Sequence, residues 1–392
     1  MYPCFRWCGL KVLSLVSVVC FVLVCVTSSQ AATLPAVSCS LYASPSGSGV
    51  GDGSQGEPFG SAQRLVSALA PGQTGCLMGG VYSQPELSFA RGGQAGAPIT
   101  LASFPGQTAT LTGGFVYVPS GSNDVTIENV HIDTAASTQV GVQLMATNGS
   151  LIGDDITNDQ AHTSCIILGS NLGWGQALGT VIEDDVIHQC GNVADGNQDH
   201  AIYFDNTIDA QVSDNVIWGT AAFAIHLYQD AQGTRITHNV IVDNGYGVIF
   251  AGSAEHASDN NIVAHNIIAD STVGYDVQSW WGGTIGTGNI AQDNCLADGR
   301  MGDQTTVSTG FSSSNNLDAA SPMFVDAADH DYQLQAGSPC LSIVGSDTAA
   351  GIAATPVATA ARAHNLRAHS TRKPRHHRRH HRRHHHRQTA KV

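Results

Sequence analysis

The chain has 392 residues, of which 42% are hydrophobic and only 12% charged, with 43 glycines and 13 prolines. This balance favours one extended all-β domain with frequent turns and argues against a mainly helical fold. The net charge is −14, yet all 31 acidic residues and only four of the 17 lysines and arginines fall between residues 33 and 360. A body this acidic repels nucleic acid, so we expect no nucleic-acid partner for it.

The N-terminal segment, residues 1–31, has the layout of a secretory signal peptide. Arg6 and Lys11 precede an apolar run over residues 12–26, and residues 29–31 read SQA, a small-x-small cleavage site. An uncleaved membrane anchor is the alternative, but the run is shorter than the ~20 residues that a spanning helix needs. We therefore expect a secreted or extracellular protein whose folded body covers residues 32–345.

Six cysteines remain once the signal segment is removed. An even number in an exported protein favours disulfides, and the lack of any C-x-x-C spacing argues against a zinc site. We expect neighbours along the chain to pair: Cys39 with Cys76, Cys165 with Cys190, and Cys295 with Cys340.

The body carries an internal repeat of the type Ile/Val-x-x-Asn/Asp. Runs such as VSDNVI, ITHNVI and VAHNII share an Asn/Asp column whose members are 30, 30, 24, 27 and 28 residues apart. Each repeat also holds a second alternating run, such as AIYF or AIHL, and this pattern indicates at least two short strands per repeat. The period is typical of a solenoid, and the scarcity of leucine argues against leucine-rich repeats. The column comprises Asp155, Asp185, Asn215, Asn239, Asn266 and Asn294, with Val130 in the same place one repeat earlier.

Three further segments carry a family resemblance: the opening LYASPSGSGVGDGSQGEPFG, the run PITLASFPGQTATLTG, and the closing SPMFVDAADHDYQLQAGSPCL. With them the chain, over about residues 41–344, resembles the right-handed parallel β-helix proteins of the pectate-lyase-like superfamily. The resemblance implies an all-β solenoid of parallel strands with a small N-terminal capping helix, here over residues 61–69. It implies no single activity, because the superfamily includes lyases, hydrolases, epimerases and binding proteins.

The Asn/Asp column is expected to be a structural ladder, since buried amides can form hydrogen bonds with the backbone groups at each bend.

In two of the repeats, the alternation within the second run predicts a cluster of functional side chains on the outer face. AIYFDN and AIHLYQD bury their Ile, Phe and Leu residues and turn the others outward: Tyr203, Asp205, His226, Tyr228 and Asp230. Aligned repeats place Tyr203 beside His226 and Asp205 beside Tyr228. The first of these two columns continues through Gln143, Ile167, Ile249 and Gln278, and the second through Ala251 and Trp280.

More candidate residues flank this cluster. Asp199 and His200 follow a long polar turn and are expected at its lip, while Trp280 and Trp281 lie further along the same face. Exposed Tyr and Trp side chains beside carboxylates suit a sugar-binding groove, because their apolar faces stack on pyranose rings. Polysaccharide is therefore the expected substrate or ligand, with Trp280, Trp281 and Gln278 as binding residues.

Three functions remain open on this surface. For lyase or epimerase chemistry on a uronate-containing glycan, His226 or His200 would act as base with Tyr203 or Tyr228 as acid. The uronate carboxylate would then need Arg235, or calcium held by Asp199, Asp205 or Asp230. For an inverting glycoside hydrolase, Asp205 and Asp230 would be the carboxylate pair, about 8 Å apart by strand spacing. The third function is non-catalytic glycan binding at the cell surface.

The last segment, residues 346–392, loses the repeat and ends in RKPRHHRRHHRRHHHRQTAKV. Its final 32 residues carry 11 lysines and arginines and no acid, so we expect a disordered basic tail. Attachment to an anionic cell-envelope polymer is the expected role, with a merely solvated tail or metal binding by its histidines as alternatives. The body is expected to be a monomer.

Overall fold

The computed structural model describes residues 38–161, 163–196, 198–304 and 309–345. The predicted signal peptide and basic tail lie outside the described residues. Within them, short strands wind into a parallel β-solenoid built from three parallel sheets, and one turn of the solenoid, called a coil below, takes one strand from each sheet. The all-β solenoid prediction is confirmed. No helix in the described part of the chain has the length and apolar character needed to cross a membrane.

Sheet 1 has eleven strands, and its strand order follows the sequence. The strands are Leu41–Ser48, Thr74–Leu77, Ile99–Ser103, Val125–Glu128, Gly149–Ile152, Val181–Glu183, Gln211–Ser213, Arg235–Thr237, Ile262–Ala264, Asn289–Gln292 and Phe311–Ser314.

Sheet 2 has nine strands and carries the candidate site. The strands are Glu86–Ser88, Phe115–Val118, Val142–Leu144, Ile166–Leu168, Ala177–Leu178, Ile202–Ile208, Phe223–Gln232, Tyr246–Gly252 and Val277–Trp281. Sheet 3 has ten strands: Gly80–Ser83, Ala109–Thr112, His131–Asp133, Asp155–Thr157, Val186–His188, Val216–Trp218, Val240–Val242, Ile267–Ala269, Cys295–Ala297 and Leu317–Asp318.

The remaining elements close the two ends. The helix Ala62–Ala68 begins after Ser61, whose hydroxyl accepts the backbone N–H of Arg64, and this confirms the predicted capping helix. At the other end an antiparallel pair, Phe324–Asp326 with Asp331–Leu334, and the short helix Leu341–Val344 pack with the apolar outer face of sheet 3. Two short 3₁₀ turns span Val193–Asp195 and Ala327–Asp329. All three predicted disulfides are present, each joining cysteines with Cα atoms 5.4–5.5 Å apart.

The core is a stack of aliphatic side chains that point inward at the same register position. In sheet 1 one such column runs through Ile127, Leu151, Ile182, Val212, Ile236, Val263 and Ala291, all fully buried. Burial of such side chains contributes about 1.5–3 kcal/mol each relative to exposure. Because every coil repeats this contact, the sheets hold the outer face of sheet 2 in a fixed position.

The predicted Asn/Asp ladder exists and lies at the bend between sheets 1 and 3. From Asn215 to Asn294 each ladder side chain is fully buried, and its Oδ1 accepts the backbone N–H of the ladder residue one coil earlier at 2.9–3.0 Å. Asn215 thus accepts from Asp185, and Asn239 accepts from Asn215. Each Asn Nδ2 donates to backbone carbonyls, so the bend leaves no ladder amide unpaired.

The first ladder member is one residue away from the predicted position. Asp154, not Asp155, accepts the backbone N–H of Val130 at 2.8 Å, and its own N–H bonds Asp185 Oδ1. The alignment slipped because Leu151, rather than Ile152, pairs with Ile182. Asp155 instead faces outward on sheet 3, where its carboxylate contacts two histidines. Burial raises the pKa of Asp154 and of Asp185 well above the usual range, so both carboxyls favour the protonated form.

Candidate functional site

The first predicted column on the outer face of sheet 2 is confirmed along its whole length. Gln143, Ile167, Tyr203, His226, Ile249 and Gln278 pair in register across six consecutive strands. Tyr203 and His226 are half-buried, whereas their strand neighbours Ile202 and Ile225 are fully buried in the core. Period-2 alternation therefore brings a phenol and an imidazole side by side on the outer surface.

The second column is interrupted by a bulge. After the pair Phe204 and Leu227 the register shifts, so that Asn206 pairs with Asp230. The single residue Asp205 consequently lies opposite two residues, Tyr228 and Gln229, rather than directly beside Tyr228 as predicted. The extra residue also re-aims the side chains that follow it, as β-bulges commonly do beside functional sites.

Two histidines from adjacent coils form a hydrogen-bonded pair. His226 Nδ1 and His200 Nε2 are 2.9 Å apart, and the two rings meet edge to face with centroids 4.4 Å apart. His200 is only 3% exposed, so it lies beneath the surface rather than at the lip, where the sequence had placed it. Because Nδ1 of His226 is engaged, its Nε2 is the ring nitrogen available to a ligand.

Both imidazoles are held in the neutral form. Burial lowers the pKa of His200 to about 3, because a charged ring would lose its hydration there. The pKa of His226 also lies well below its ordinary value, first through burial and then through the nearby His200. A neutral imidazole can accept a proton at neutral pH, which is the state that a general base requires.

Two tyrosines border the histidine pair. The Tyr203 ring centroid lies 5.4 Å from that of His200 and 5.5 Å from that of His226, while Tyr228 stacks with His226 at 5.2 Å. Burial, followed by the charge of Asp205, raises the pKa of Tyr203 above its ordinary value. Its phenol therefore keeps its proton and can donate it or a hydrogen bond.

These side chains line a cleft of about 490 Å³. Its lining is aromatic and amide in character, and the described lining residues include no lysine, arginine, aspartate or glutamate: Gln198, His200, Tyr203, Phe223, His226, Tyr228, Tyr246, Ile249, Gln278 and Trp280. Trp280 is 56% exposed at the rim, with its ring 6.3 Å from that of Tyr228. The cleft thus offers flat apolar faces together with a few hydrogen-bonding groups.

The three predicted site aspartates lie outside this lining, and each has protein partners. Asp199 Oδ2 accepts the backbone N–H groups of Thr163 and Asn192, both at 3.0 Å, and so ties two turns together. Asp205, only 7% exposed, accepts the backbone N–H of Asn171 at 2.9 Å. Both are therefore buried rather than solvent-facing as predicted.

Asp230 is the most accessible of the three carboxylates. It accepts Gln232 Nε2 at 2.7 Å and lies 3.5 Å from His256 Nδ1. The other two predicted residues lie elsewhere: Arg235 is exposed at the start of a sheet 1 strand, and Trp281 donates its Nε1–H to the carbonyl of Thr309 at 2.8 Å. The structure does not bring Arg235 or Trp281 to the cleft lining.

Four lining residues were not predicted as site residues: Gln198, Phe223, Tyr246 and Ile249. Phe223 and Tyr246 pair in register and stack with centroids 4.4 Å apart, which gives the cleft an apolar floor. Strict alternation fails at these strand ends, so their direction could not be deduced from it. Their common position, three residues before His226 and Ile249 in successive repeats, is the signal that could have found them.

Comparisons with known proteins show which folds this chain resembles. Residues 112–292 match the family model described as periplasmic copper-binding protein (NosD). Among solved structures, that of XylC in complex with xylose superposes with a TM-score of 0.57 at 12% identity, over 71% of this chain and 69% of that chain. The chain has a right-handed parallel β-helix fold.

Two further solved structures are similar to this β-helix. An alginate lyase from Paenibacillus sp. str. FPU-7 has a TM-score of 0.46 at 16% identity, over 66% of this chain and 93% of that one. Pectate lyase Pel9A has a TM-score of 0.44 at 14% identity, over 76% of this chain and 90% of that one. No curated protein matches the sequence.

The description of the matching family names copper as a ligand. No group of three or more His, Cys, Asp or Glu side chains in the described ranges is arranged to hold a metal ion. The six cysteines of the described body are all in disulfides, so no thiolate is free to bind copper. The described residues therefore do not fit a copper centre of three protein ligands.

Proposed function

We propose that this protein acts on an extracellular polysaccharide in the Tyr203–His226 cleft, by lyase or epimerase chemistry on a uronate-containing glycan. The observation that carries the proposal is the neutral His200–His226 pair held against two tyrosines in an aromatic cleft. Proton abstraction next to a carbonyl needs a base that is unprotonated at working pH and an acid that is protonated. The histidine pair and the tyrosines meet these two needs.

In this proposal His226 Nε2 takes the proton from the sugar carbon beside the carboxylate. The proton between the two rings then lies on His226 Nδ1, which donates a hydrogen bond to His200 Nε2, and this bond fixes the tautomer of His226. The hydroxyl of Tyr228 or Tyr203 protonates the leaving oxygen in a lyase, or returns a proton to the opposite face of the sugar in an epimerase. Trp280 supports the substrate by stacking on a pyranose ring.

The substrate carboxylate has uncharged donors within the cleft, namely the side-chain amides of Gln198 and Gln278. The sequence had proposed Arg235 or calcium for this task. Arg235 belongs to another sheet, and the carboxylates of Asp199 and Asp205 already accept hydrogen bonds from backbone N–H groups. Calcium therefore stays a prediction centred on Asp230, and it is tested by the effect of a chelator on turnover.

Non-catalytic glycan binding is the second candidate function, and the aromatic lining of the cleft favours it. The inverting hydrolase has less support, because the partly exposed Asp230 would have to act with Asp205, which is buried and bonded to Asn171. The XylC structure, which superposes on this fold, is a complex with the sugar xylose, and this agrees with a glycan ligand. Three disulfides fit an extracellular or periplasmic protein.

The test is incubation of the purified protein with acidic and neutral polysaccharides, followed by ultraviolet absorbance of unsaturated products, reducing ends, and the sugar composition of the polymer. We expect unsaturated product or an inverted uronate, and His226→Ala or Tyr228→Phe should lower its rate by about 10²-fold or more. Tyr117→Phe is the matched control, because Tyr117 pairs with Gln143 in the same column, three coils from Tyr203. Reducing ends alone would favour hydrolysis, and binding without product would favour the binding module.

A further inference from the structure

A loop beside the cleft holds two large apolar side chains in solvent. Residues 169–176 leave sheet 2 after the strand Ile166–Leu168 and return to it at Ala177–Leu178, which pairs with the next coil. At the tip of this loop Leu172 is 80% exposed and Trp174 is 55% exposed. Exposure of two such side chains together is a recognised mark of a binding surface.

The loop is tied firmly to the coil that carries Tyr203. Ser170 and Gly175 pair across its base, with Ser170 N–H donating to the Gly175 carbonyl at 2.8 Å. Asn171 N–H donates to Asp205 Oδ2 at 2.9 Å, and Gln176 Nε2 donates to Asn206 Oδ1 at 2.8 Å. Asp205 thereby acquires a role that the sequence did not indicate, because it positions this loop.

The loop starts at the register column that contains the rim of the cleft. Leu168 pairs with Phe204, so the next residue, Gly169, is level with Asp205 and with the bulge at Tyr228. Gly169 has φ +67°, and a Cβ there would lie 1.9 Å from the carbonyl oxygen of Asn206, so only glycine allows the chain to turn outward at this point. Trp280 occupies the same column four strands away, a separation of about 19 Å at ~4.8 Å per strand.

The loop that carries Trp174 therefore starts at one end of a row of strands, and Trp280 lies at the other end, with the strands of Tyr203, His226 and Tyr228 between them. Indole rings at both ends present flat apolar faces, which is the property that recognises pyranose rings. An occupant that contacts both ends must extend across several coils, as a polysaccharide does and a short sugar does not.

We infer that Trp174 forms a second sugar-binding position, remote from the reacting unit, which takes a pyranose ring of the same polysaccharide chain. This inference rests on the proposed function, because it assumes that the cleft binds glycan. It makes the protein selective for polymers over short oligosaccharides, since only a long chain reaches from Trp280 to the loop. Binding at both positions at once adds affinity through linkage.

The test compares the dissociation constants of the full chain and its variants for alginate, polygalacturonate and xylan, each as polymer and as trisaccharide. Trp174→Ala should weaken polymer binding about 3- to 10-fold and leave trisaccharide binding unchanged. Trp174→Phe should retain most of the polymer affinity. Trp280→Ala should weaken both ligands, and Val81→Ala, an exposed residue on sheet 3, should change neither.

The outcomes separate this inference from the proposed function. If the wild-type protein binds none of the six ligands, the proposed function fails and the second position fails with it. Two other outcomes refute only the second position. In one, the wild type binds polymer and Trp174→Ala binds it equally well; in the other, Trp174→Ala loses affinity for trisaccharide and polymer in equal measure. The loop tip is then a surface for another class of partner.

Discussion

Replacing His200 with glutamine should make the protein less sensitive to acid, because His200 is folded in a neutral, buried state. Its pKa is lowered from the ordinary 6.5 to about 3 by burial. The folded state therefore binds fewer protons than the unfolded state between these values. The stability that depends on a neutral His200 is fully present above pH 6.5 and is lost as the pH falls towards 3.

The magnitude follows from the two pKa values. At pH 4.5 an unfolded histidine is almost fully protonated and the buried one almost fully neutral, so His200 alone lowers the free energy of unfolding of the wild type by roughly 3 kcal/mol relative to pH 7.5. Buried carboxyls with raised pKa values, such as Asp276 at about 8, act in the opposite direction as the pH falls. The difference between variant and wild type is therefore the quantity to measure, since these carboxyls are common to both.

Urea unfolding of wild type and His200→Gln at pH 7.5 and 4.5 measures this difference. We expect the free energy of unfolding of the wild type, relative to the variant, to fall by about 2–3 kcal/mol between the two values of pH. Gln278→Ala is the matched control, since it removes a cleft side chain that does not titrate. If the free energies of unfolding of wild type and His200→Gln differed by the same amount at both pH values, the neutral, buried state of His200 would be refuted.

Three other changes test the framework and the tail. Asn239→Ala leaves the buried N–H of Asn215 without its acceptor, so urea unfolding should show a loss of about 3 kcal/mol, against almost none for the exposed Gln211→Ala; similar values for both would contradict a structural ladder. Removing the Cys165–Cys190 disulfide, which closes a separation of 25 residues, should cost about 3 kcal/mol in the same assay, and an unchanged midpoint would argue that the bridge does not constrain the unfolded chain. Truncation after residue 360 should abolish sedimentation with anionic envelope polymer while glycan activity persists, and the full chain should lose this binding at high salt; sedimentation of the truncated protein would exclude the tail as the anchor.

Much of the fold could be read from the sequence because a solenoid repeats its local rules. Alternation with period 2 predicted which side chain of each pair faces out, and Tyr203 and His226 are adjacent as a result. The Asn column predicted the ladder, because an amide that serves each bend must recur once per coil. Neighbour pairing of the cysteines succeeded for the same reason, since residues one or two coils apart in sequence are close in space.

The predictions from the sequence were wrong where the repeat is interrupted. Asp154 and Asp155 are adjacent carboxylates, and only the pairing of Leu151 with Ile182 decides which of them enters the ladder. The bulge opposite Asp205 could not be deduced from alternation, because an inserted residue looks like a continued strand. The role of Asp205 depends on a loop that comes from the preceding coil, so no pattern within its own repeat indicates it.

The ladder limits where the sequence of such a protein can gain or lose residues. Successive ladder bonds join residues separated by 31, 30, 24, 27, 28 and 22 positions, yet each bond spans one coil. The surplus residues of a long coil must therefore leave the wall of the solenoid as an excursion, as residues 169–176 do. Insertions and deletions there alter what the surface offers to a partner without shifting any strand. Binding preference can thus diverge by exchange of one excursion while the wall that supports it is inherited unchanged.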